Sequence, residues 1–194
     1  LSSAASDVYK RQGVGPTRID HVIGVAKAYS TRVGEGPFPT ELFDETGATM
    51  CEVGQEFGTT TGRQRRCGWI DLVALKYAVR LNGITHLALT KLDVLSGLPV
   101  LKACTSYRSG SRVLDEFPLL QTDFHHAEPV YEELPGWTED IRHCETWQDL
   151  PQAARDYVQY IAEVTRTRVK FIAVGPGREE TIVLPRSIGQ GGAI

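Results

Sequence analysis

The sequence predicts an α/β fold. Two short apolar runs rich in β-branched residues, at positions 84–89 and 169–174, have the length and the flanking glycines of buried strands. Helical patterns, in which apolar residues recur at intervals of three and four, precede and separate these runs. Strands and helices that alternate in this way are typical of a sheet with helices packed against it.

Three helices are predicted from apolar stripes. The first covers residues 17–29, where the spacing is that of a core-facing stripe and Thr17 is placed as a cap. The second is centred on residues 70–81 and stops at Gly83; it is apolar more than halfway round, which predicts burial against the sheet. The third covers residues 151–165, with a proline in its first turn, where proline is tolerated.

Short β patterns fill much of the remaining chain. Residues 100–107 and 112–114 are predicted to form a hairpin, residues 130–134 a further strand and residues 181–184 a final one. Residues 32–40 contain two glycines and two prolines among nine positions, which predicts a shaped loop that is neither strand nor helix.

Composition and charge are those of an ordinary globular protein, with 41% hydrophobic and 23% charged residues. A net charge of -3 provides no whole-molecule argument for binding nucleic acid or a membrane surface. No apolar run approaches the roughly 20 residues that span a bilayer. The four cysteines lack metal-ligand spacing, and we expect buried or free thiols in a reducing cytoplasm. They are Cys51, Cys67, Cys104 and Cys144.

The beginning of the chain departs from the rest. The only methionine is Met50, and residues 1–12 are polar and join abruptly to the patterned sequence that follows. We expect residues 1–12 to be a non-native scar and residues 13–194 to be part of a longer protein.

Residues 58–66, here called the Thr/Arg loop, combine three hydroxyls, two glycines and three guanidinium groups. Gly62 allows the backbone to approach a ligand closely. The threonine hydroxyls can donate to a carboxylate, and each arginine can hold a carboxylate or phosphate with two parallel bonds. The loop is therefore suited to small anions, although a solvated basic surface loop is the alternative.

Residues 90–93, Thr-Lys-Leu-Asp, follow a predicted buried strand and have the form of a guanine-recognition loop. One aspartate carboxylate can accept from both N1–H and the N2 amine of guanine, a donor pair that adenine lacks. The lysine stem can cover the base while its ammonium stays in water. Gly175 follows the other predicted buried strand, where backbone groups can meet a second edge of the base. Ligands bind outside the carboxyl ends of strands in open α/β sheets, although either segment alone is also an ordinary surface turn.

Taken together, these segments resemble the adenylosuccinate synthetase family. The likeness is carried by KAYSTRVGEGPFPTEL from Lys27, by the Thr/Arg loop with the following Cys-Gly-Trp, and by LTKLDVLSGL from Leu89. It continues in PVYEELPGW from Pro129 and in Val-Gly-Pro from Val174, and runs over about residues 13–184. The resemblance implies an α/β fold that is the C-terminal portion of the family fold, a mixed sheet with flanking helices that is incomplete in this chain.

The resemblance also implies a function. Members of this family join IMP to L-aspartate with GTP and Mg²⁺ in AMP biosynthesis, through a 6-phosphoryl-IMP intermediate. The implied enzyme is cytoplasmic and homodimeric. The family's catalytic Asp, His and Lys segments and the Mg²⁺ ligands are expected outside this chain, so we expect this chain to supply substrate-binding walls and to be inactive alone. A guanine-nucleotide-binding module and a non-functional fragment are the alternatives.

The resemblance carries over three sets of site residues. The aspartate-binding set is Thr59, Thr60, Thr61, Gly62, Arg63, Gln64 and Arg65. The IMP-binding set is Arg63 and Val33. The GTP-binding set is Arg65, Lys91, Leu92, Asp93, Ala173, Val174 and Gly175. Ala173 departs from the family, which commonly has a serine there, so a hydroxyl contact to the nucleotide is not expected.

Overall fold

The computed structural model describes residues 18–60 and 62–189, and the strands in these ranges form three sheets. The strands are β1 (Ile23–Lys27), β2 (Ser30–Arg32), β3 (Arg66–Gly68), β4 (Ile70–Asp71), β5 (His86–Thr90), β6 (Leu98–Ser109), β7 (Arg112–Leu114), β8 (Glu128–Trp137), β9 (Arg168–Ala173) and β10 (Thr181–Ile188). The helices are α1 (Glu45–Val53), α2 (Leu72–Asn82), α3 (Gln121–His125) and α4 (Gln152–Thr165). Short 3₁₀ turns cover Leu92–Leu95 and Trp147–Asp149.

The main sheet has the strand order β1-β5-β9-β10. The first three strands are parallel, and β10 pairs antiparallel with β9, so the sheet is mixed. Because parallel strands end at the same edge of a sheet, the segments that follow β1, β5 and β9 lie side by side. The predicted α/β class, with a mixed sheet and flanking helices, is confirmed.

The two faces of the main sheet differ in burial. One face carries the core, where the side chains of Leu87, Leu89 and Ile172 are fully buried. The opposite face carries a lateral row in which Val25 pairs with Ala88, Ala88 with Phe171 and Phe171 with Val183. The valines at the two ends of this row are 76% and 57% exposed.

A second sheet consists of β6 paired with β4, β7 and β8. Helix α2 begins directly after β4 and packs against β6 and α4. Its end is set by Gly83, which has φ 58° and caps the helix in the left-handed region, as predicted.

The predicted helix over residues 17–29 is wrong. The structure has β1 there, in which Ile23 and Val25 are exposed and Ala26 and Lys27 are half-buried. A helix and a strand would each place some of these apolar residues on one face, and pairing with β5 selects the strand. Thr17 and the expected scar at residues 1–12 lie outside the described residues.

Other predicted elements are confirmed with shifted ends. Strands β5 and β9, the β6–β7 hairpin and helix α4 lie where the patterns place them. Strand β8 continues through Pro135 and Gly136, because Pro135 faces Val100 of β6 in the register and the ladder does not end there. Burial of α2 is greatest at its start, where Leu72 and Val73 are buried, whereas Leu81 near its end is 61% exposed. Within the described ranges, no helix has both the length and the apolar character that crossing a membrane requires.

Asp71→Ala is expected to destabilise the chain more than the equivalent change at another helix cap. The Asp71 carboxylate accepts from the amide of Ala74, capping α2, and from the hydroxyl of the fully buried Tyr107. The loss of the cap and the unpaired hydroxyl should together lower the free energy of unfolding by about 2–4 kcal/mol. Asp44→Ala removes only a cap, on the more exposed helix α1, and is expected to cost about 1 kcal/mol. Urea denaturation of the two variants measures the difference; equal losses would contradict the role of the tyrosine contact.

Candidate functional site

The carboxyl edge of the main sheet gathers the segments that the sequence marks as chemically active. The amide of Ala28 donates to the carbonyl of Thr90 at 2.8 Å, which joins the ends of β1 and β5. The segment of residues 91–93 continues from β5, and the segment that begins at Val174 continues from β9. Because β5 and β9 are parallel neighbours, these backbone segments lie side by side.

A buried carboxylate, Glu56, lies at this edge. Its side chain is fully inaccessible to solvent. Oε1 accepts from Tyr29 Oη at 2.6 Å and from Lys27 Nζ at 2.8 Å. Oε2 accepts from Lys27 Nζ at 2.9 Å and from Arg65 Nη1 at 2.8 Å. Lys91 Nζ lies 3.2 Å from Oε1, so one carboxylate is shared by three cations. These five residues are called the Glu56 cluster below.

The Glu56 cluster keeps its carboxylate ionised. Burial alone would raise the pKa of Glu56, but hydrogen bonds from Lys27, Tyr29 and Arg65 outweigh it and lower the pKa from 4.5 to about 2. Burial and the bond to this carboxylate also raise the pKa of the Tyr29 hydroxyl, which stays protonated as a donor. Three ammonium or guanidinium groups against one carboxylate leave an excess of two positive charges.

Local backbone contacts place Glu56 in this position. Its amide donates to the carbonyl of Cys51 at 2.8 Å, which folds the chain back after α1. Its carbonyl accepts from the amide of Arg65 at 2.8 Å, so the same residue anchors the far end of the Thr/Arg loop. Between α1 and Glu56 the chain needs glycine at position 54, because a Cβ there would lie 2.2 Å from the Tyr29 hydroxyl.

Lys91 is held in an uncommon backbone conformation, with φ 60°. Its ammonium donates to the carbonyl of Gly54 in addition to its contact with Glu56. The Lys91 side chain is 34% exposed, so it remains partly in water while its ammonium is paired with Glu56.

The Thr/Arg loop projects from the cluster toward solvent. Two backbone hydrogen bonds close it, from Gly58 to the carbonyl of Arg63 at 2.8 Å and from Gly62 to the carbonyl of Gly58 at 2.7 Å. Gly62 has φ 63°, a conformation that favours glycine. Thr61 lies outside the described residues. The exposed members of the predicted aspartate-binding set are Thr59, Thr60, Gly62, Arg63 and Gln64.

An open cleft of about 360 Å³ lies between the Thr/Arg loop and the loop after β2. It is lined by Gly34, Glu35, Gly36, Arg63, Gln64 and Arg66. Val33 begins the second of these loops and is 74% exposed. The structure therefore brings the Arg63 side of one loop to the loop that holds Val33, as the predicted IMP-binding pair requires.

Arg66 braces this cleft. Its guanidinium donates to both carboxylate oxygens of Glu41, and it also donates to the carbonyls of Gly34 at 3.1 Å and Gly36 at 2.9 Å. The ring of Phe38 lies 5.5 Å from the guanidinium carbon. These contacts join the loop after β2 to strand β3, which gives the predicted shaped loop a fixed wall.

The guanine-reading candidate Asp93 lies in the 3₁₀ turn after β5 and is partly buried. Burial raises its pKa above 3.8, while the nearby charges of Lys91 and Arg142 act to lower it and Glu180 acts to raise it. Leu92 is fully buried, so only its backbone can face a ligand.

The turn after β9 lies next to the side chain of Glu180. The Glu180 side chain accepts from the amide of Gly177, and its carbonyl accepts from the amide of Val174 at 2.9 Å. A Cβ on Gly175 would come within 2.5 Å of this carboxylate. Ala173, the last residue of β9, is partly buried. Gly175 thus borders the Glu180 carboxylate, whose charge also acts to raise the pKa of Asp93.

Sequence analysis did not identify Glu56, Lys27 or Tyr29 as site residues. An isolated glutamate is ordinarily exposed, so its burial is not readable from sequence. The available signal was one acid directly before a loop with three arginines. All four cysteines are buried free thiols, as predicted, and the described residues hold no group of three potential metal-ligating side chains.

Glu56→Gln is expected to destabilise the chain by about 3 kcal/mol at pH 7, because three cations lose their shared carboxylate. The folded-state pKa of about 2 lies below the ordinary value of 4.5. The stabilisation from Glu56 is therefore complete above pH 4.5 and is lost as the pH falls toward 2. Urea denaturation between pH 3 and 7 measures this effect. The free energy of unfolding of the native chain should fall as the pH is lowered, and this contribution should be absent from Glu56→Gln.

Glu133→Gln is the matched control, since Glu133 forms an exposed ion pair with Lys102 at 2.9 Å. It is expected to cost less than about 1 kcal/mol. If Glu56→Gln cost no more than this control, the carboxylate would not be the anchor of the cluster.

Comparison with known proteins identifies the family. The family model for adenylosuccinate synthetase matches residues 2–182. The adenylosuccinate synthetase of Desulfitobacterium hafniense (strain DSM 10664 / DCB-2) is 61% identical over 171 residues, which are 88% of this chain and 40% of that protein. That of Mycobacterium avium (strain 104) is 57% identical over 171 residues, with the same coverage.

A solved structure extends the comparison to the fold. The fully ligated adenylosuccinate synthetase from Plasmodium falciparum superimposes with a TM-score of 0.87 at 40% sequence identity, covering 92% of this chain and 43% of that one. The chain spans about 40% of the length of the curated relatives it matches. From its sequence and its fold, this chain belongs to the adenylosuccinate synthetase family.

Proposed function

We propose that this chain is part of a GTP-dependent ligase that joins IMP and L-aspartate to form adenylosuccinate in AMP biosynthesis. Family membership supports the reaction. The observation that carries the proposal is the Glu56 cluster, which presents two excess positive charges beside Asp93 at the carboxyl edge of the main sheet. Such a site suits an anionic guanine nucleotide.

The chemistry explains why a nucleoside triphosphate is required. O6 of IMP is a poor leaving group, so GTP first phosphorylates it, which forms 6-phosphoryl-IMP and GDP. The aspartate amine then attacks C6 and expels phosphate. Anionic substrates meet in this sequence, and cationic side chains that are already oriented stabilise their charges without reorganisation.

The two sides of the Thr/Arg loop take different substrates in this proposal. The exposed threonines and Arg63 bind the carboxylates of aspartate, and Arg63 also reaches the IMP ribose beside Val33. Arg65 belongs to both sides: it helps to orient aspartate and faces GTP. The cleft shared by Arg63 and the loop that begins at Val33 supports this arrangement.

The guanine base is read at the ends of β5 and β9. Asp93 accepts from N1–H and the N2 amine, and Lys91 covers the base with its aliphatic stem. Backbone groups of Leu92, Val174 and Gly175 contact the other edges, with Ala173 beside them. Strands β5 and β9 are parallel neighbours, so their carboxyl ends lie side by side, which supports one continuous site.

The reaction also uses Mg²⁺, and the described residues hold no group of three potential metal-ligating side chains. Among the acidic groups near the cluster, Glu56 is paired with cations and Glu180 accepts from the amide of Gly177. In the proposal, the metal ligands and the catalytic Asp, His and Lys come from a part of the protein beyond this chain. This chain alone is then inactive.

The proposal includes a homodimer in the cytoplasm. Four buried free thiols support a reducing compartment.

A full-length chimera tests the proposal. The matching 171 residues of the Desulfitobacterium hafniense relative are replaced by those of this chain, which are 61% identical. The chimera should form adenylosuccinate from IMP, aspartate and GTP, whereas this chain alone should not. A folded chimera that binds GTP but forms no adenylosuccinate would favour a guanine-nucleotide-binding module instead.

Asp93→Asn in the chimera is expected to weaken the use of GTP as a substrate and to favour the use of xanthosine triphosphate. An amide accepts only one of the two guanine donors, while its NH₂ group can donate to O2 of xanthine. The change in kcat/KM should be on the order of tenfold or more for GTP. Kinetics with both nucleotides measure it, and Asp156→Asn on the exposed side of α4 is the control. An unchanged nucleotide preference would remove Asp93 from base reading.

Arg63→Leu in the chimera is expected to raise the KM for aspartate. Losing one partner of a desolvated ion pair typically costs about 2–5 kcal/mol, which is roughly thirtyfold or more in KM. Arg112→Leu is the control, because Arg112 is 59% exposed and pairs with Asp123 on the second sheet. A change of less than twofold at Arg63 would place this arginine outside the aspartate site.

A further inference from the structure

We propose that Glu56 is a positioning residue that fixes Arg65 and Lys91 relative to each other and thereby couples the Thr/Arg loop to the guanine-reading segment. The inference rests on the proposed function, which assigns both cations to the nucleotide. Glu56 itself acts through them, since its carboxylate is fully buried and cannot reach a ligand.

Glu56 holds Arg65 at both ends. The Glu56 carbonyl accepts from the Arg65 amide, and the Glu56 carboxylate accepts from Arg65 Nη1, each at 2.8 Å. Arg65 Nε is buried and has no hydrogen-bond partner in the part of the chain that the structure describes. The orientation of the guanidinium therefore depends on the contact with Glu56.

Glu56 also draws Lys91 back toward α1. The Lys91 ammonium lies between the Gly54 carbonyl and Glu56 Oε1. Lys91 has φ 60° and immediately precedes the 3₁₀ turn that carries Asp93. Strained backbone of this kind persists where surrounding contacts hold it. Releasing the lysine side chain therefore removes a contact that holds Lys91 at the start of this turn, whereas Leu92 and Leu95 keep the turn itself in the core.

The charges indicate why a carboxylate is needed at this point. Lys27, Arg65 and Lys91 each contact Glu56, and their side chains are 26%, 30% and 34% exposed. Without the carboxylate, the three like charges would repel one another and separate. The local positive charge would nevertheless increase from two to three. Loss of Glu56 should therefore impair recognition of the base but not the attraction of a polyphosphate.

This difference separates positioning from a purely structural role. If Glu56 only supported the fold, its loss would weaken all ligands in the same proportion. If Glu56 positions the two cations, its loss lowers the preference for GTP over ATP and leaves the affinity for inorganic tripolyphosphate unchanged or tighter.

The first measurement uses this chain without ligand. Nitrogen-15 NMR of the lysine Nζ and arginine Nε groups should show ordered, slowly exchanging signals for Lys91 and Arg65 in the native chain. In Glu56→Gln both side chains should become mobile, so their signals should exchange rapidly with solvent and lose their dispersion. In Glu133→Gln both signals should be unchanged. Persistent order of both side chains in Glu56→Gln would overturn the inference.

The second measurement uses the full-length chimera and calorimetric titration with GTP, ATP and tripolyphosphate. Glu56→Gln should reduce the GTP-to-ATP affinity ratio on the order of tenfold, as expected for lost hydrogen bonds to charged groups. A ratio within twofold of the native value, or an equal loss for all three ligands, would overturn the positioning role.

Glu56→Asp keeps the charge but withdraws the carboxylate by about 1.5 Å. Glu56→Asp should restore part of the GTP-to-ATP affinity ratio. If Glu56→Gln does not fold, the same two measurements on Glu56→Asp decide whether Glu56 positions Arg65 and Lys91. A native chimera without preference for GTP would overturn the proposed function. The ligand-free NMR comparison would still decide whether Glu56 orders Arg65 and Lys91.

Discussion

The Glu56 carboxylate is removed from solvent, yet it stays charged because three cations and a tyrosine hydroxyl surround it. Removing an ion from water costs several kcal/mol, which only well-placed opposite charges and hydrogen bonds offset. Its partners come from β1, from the Thr/Arg loop and from the turn after β5. The sheet already holds β1 beside β5, and the Glu56 side chain links the Thr/Arg loop to both.

The sheet provides the frame in which this interaction is possible. Parallel β1, β5 and β9 end at one edge, so segments that are more than sixty residues apart in the chain become neighbours there. The cations of the Glu56 cluster and the Asp93 turn share this edge, while the Thr/Arg loop extends from it toward the cleft beside the loop after β2. Strand direction and one buried acid thus place the cationic cluster and the Asp93 turn at the same edge.

Local pattern accounts for most elements of the fold. Helix α4 has a continuous apolar stripe, and β5 and β9 are short apolar runs with clear ends, so each was predictable from its own residues. Strand β1 was not, because its few apolar residues suit either a helical stripe or an alternating strand, and its partner β5 lies more than fifty residues away. The extent of β8 depended likewise on the long strand β6 beside it.

The sequence by itself determined the family, the α/β class and the residue types that can bind anions and read a purine, because these follow from local composition and characteristic motifs. Only the tertiary structure decided that Glu56 is buried, that Lys91 is paired with it, and that Arg63 lines a cleft with the loop after β2. The physical reason is that burial and ion pairing depend on which distant segments meet, and no single segment contains that information.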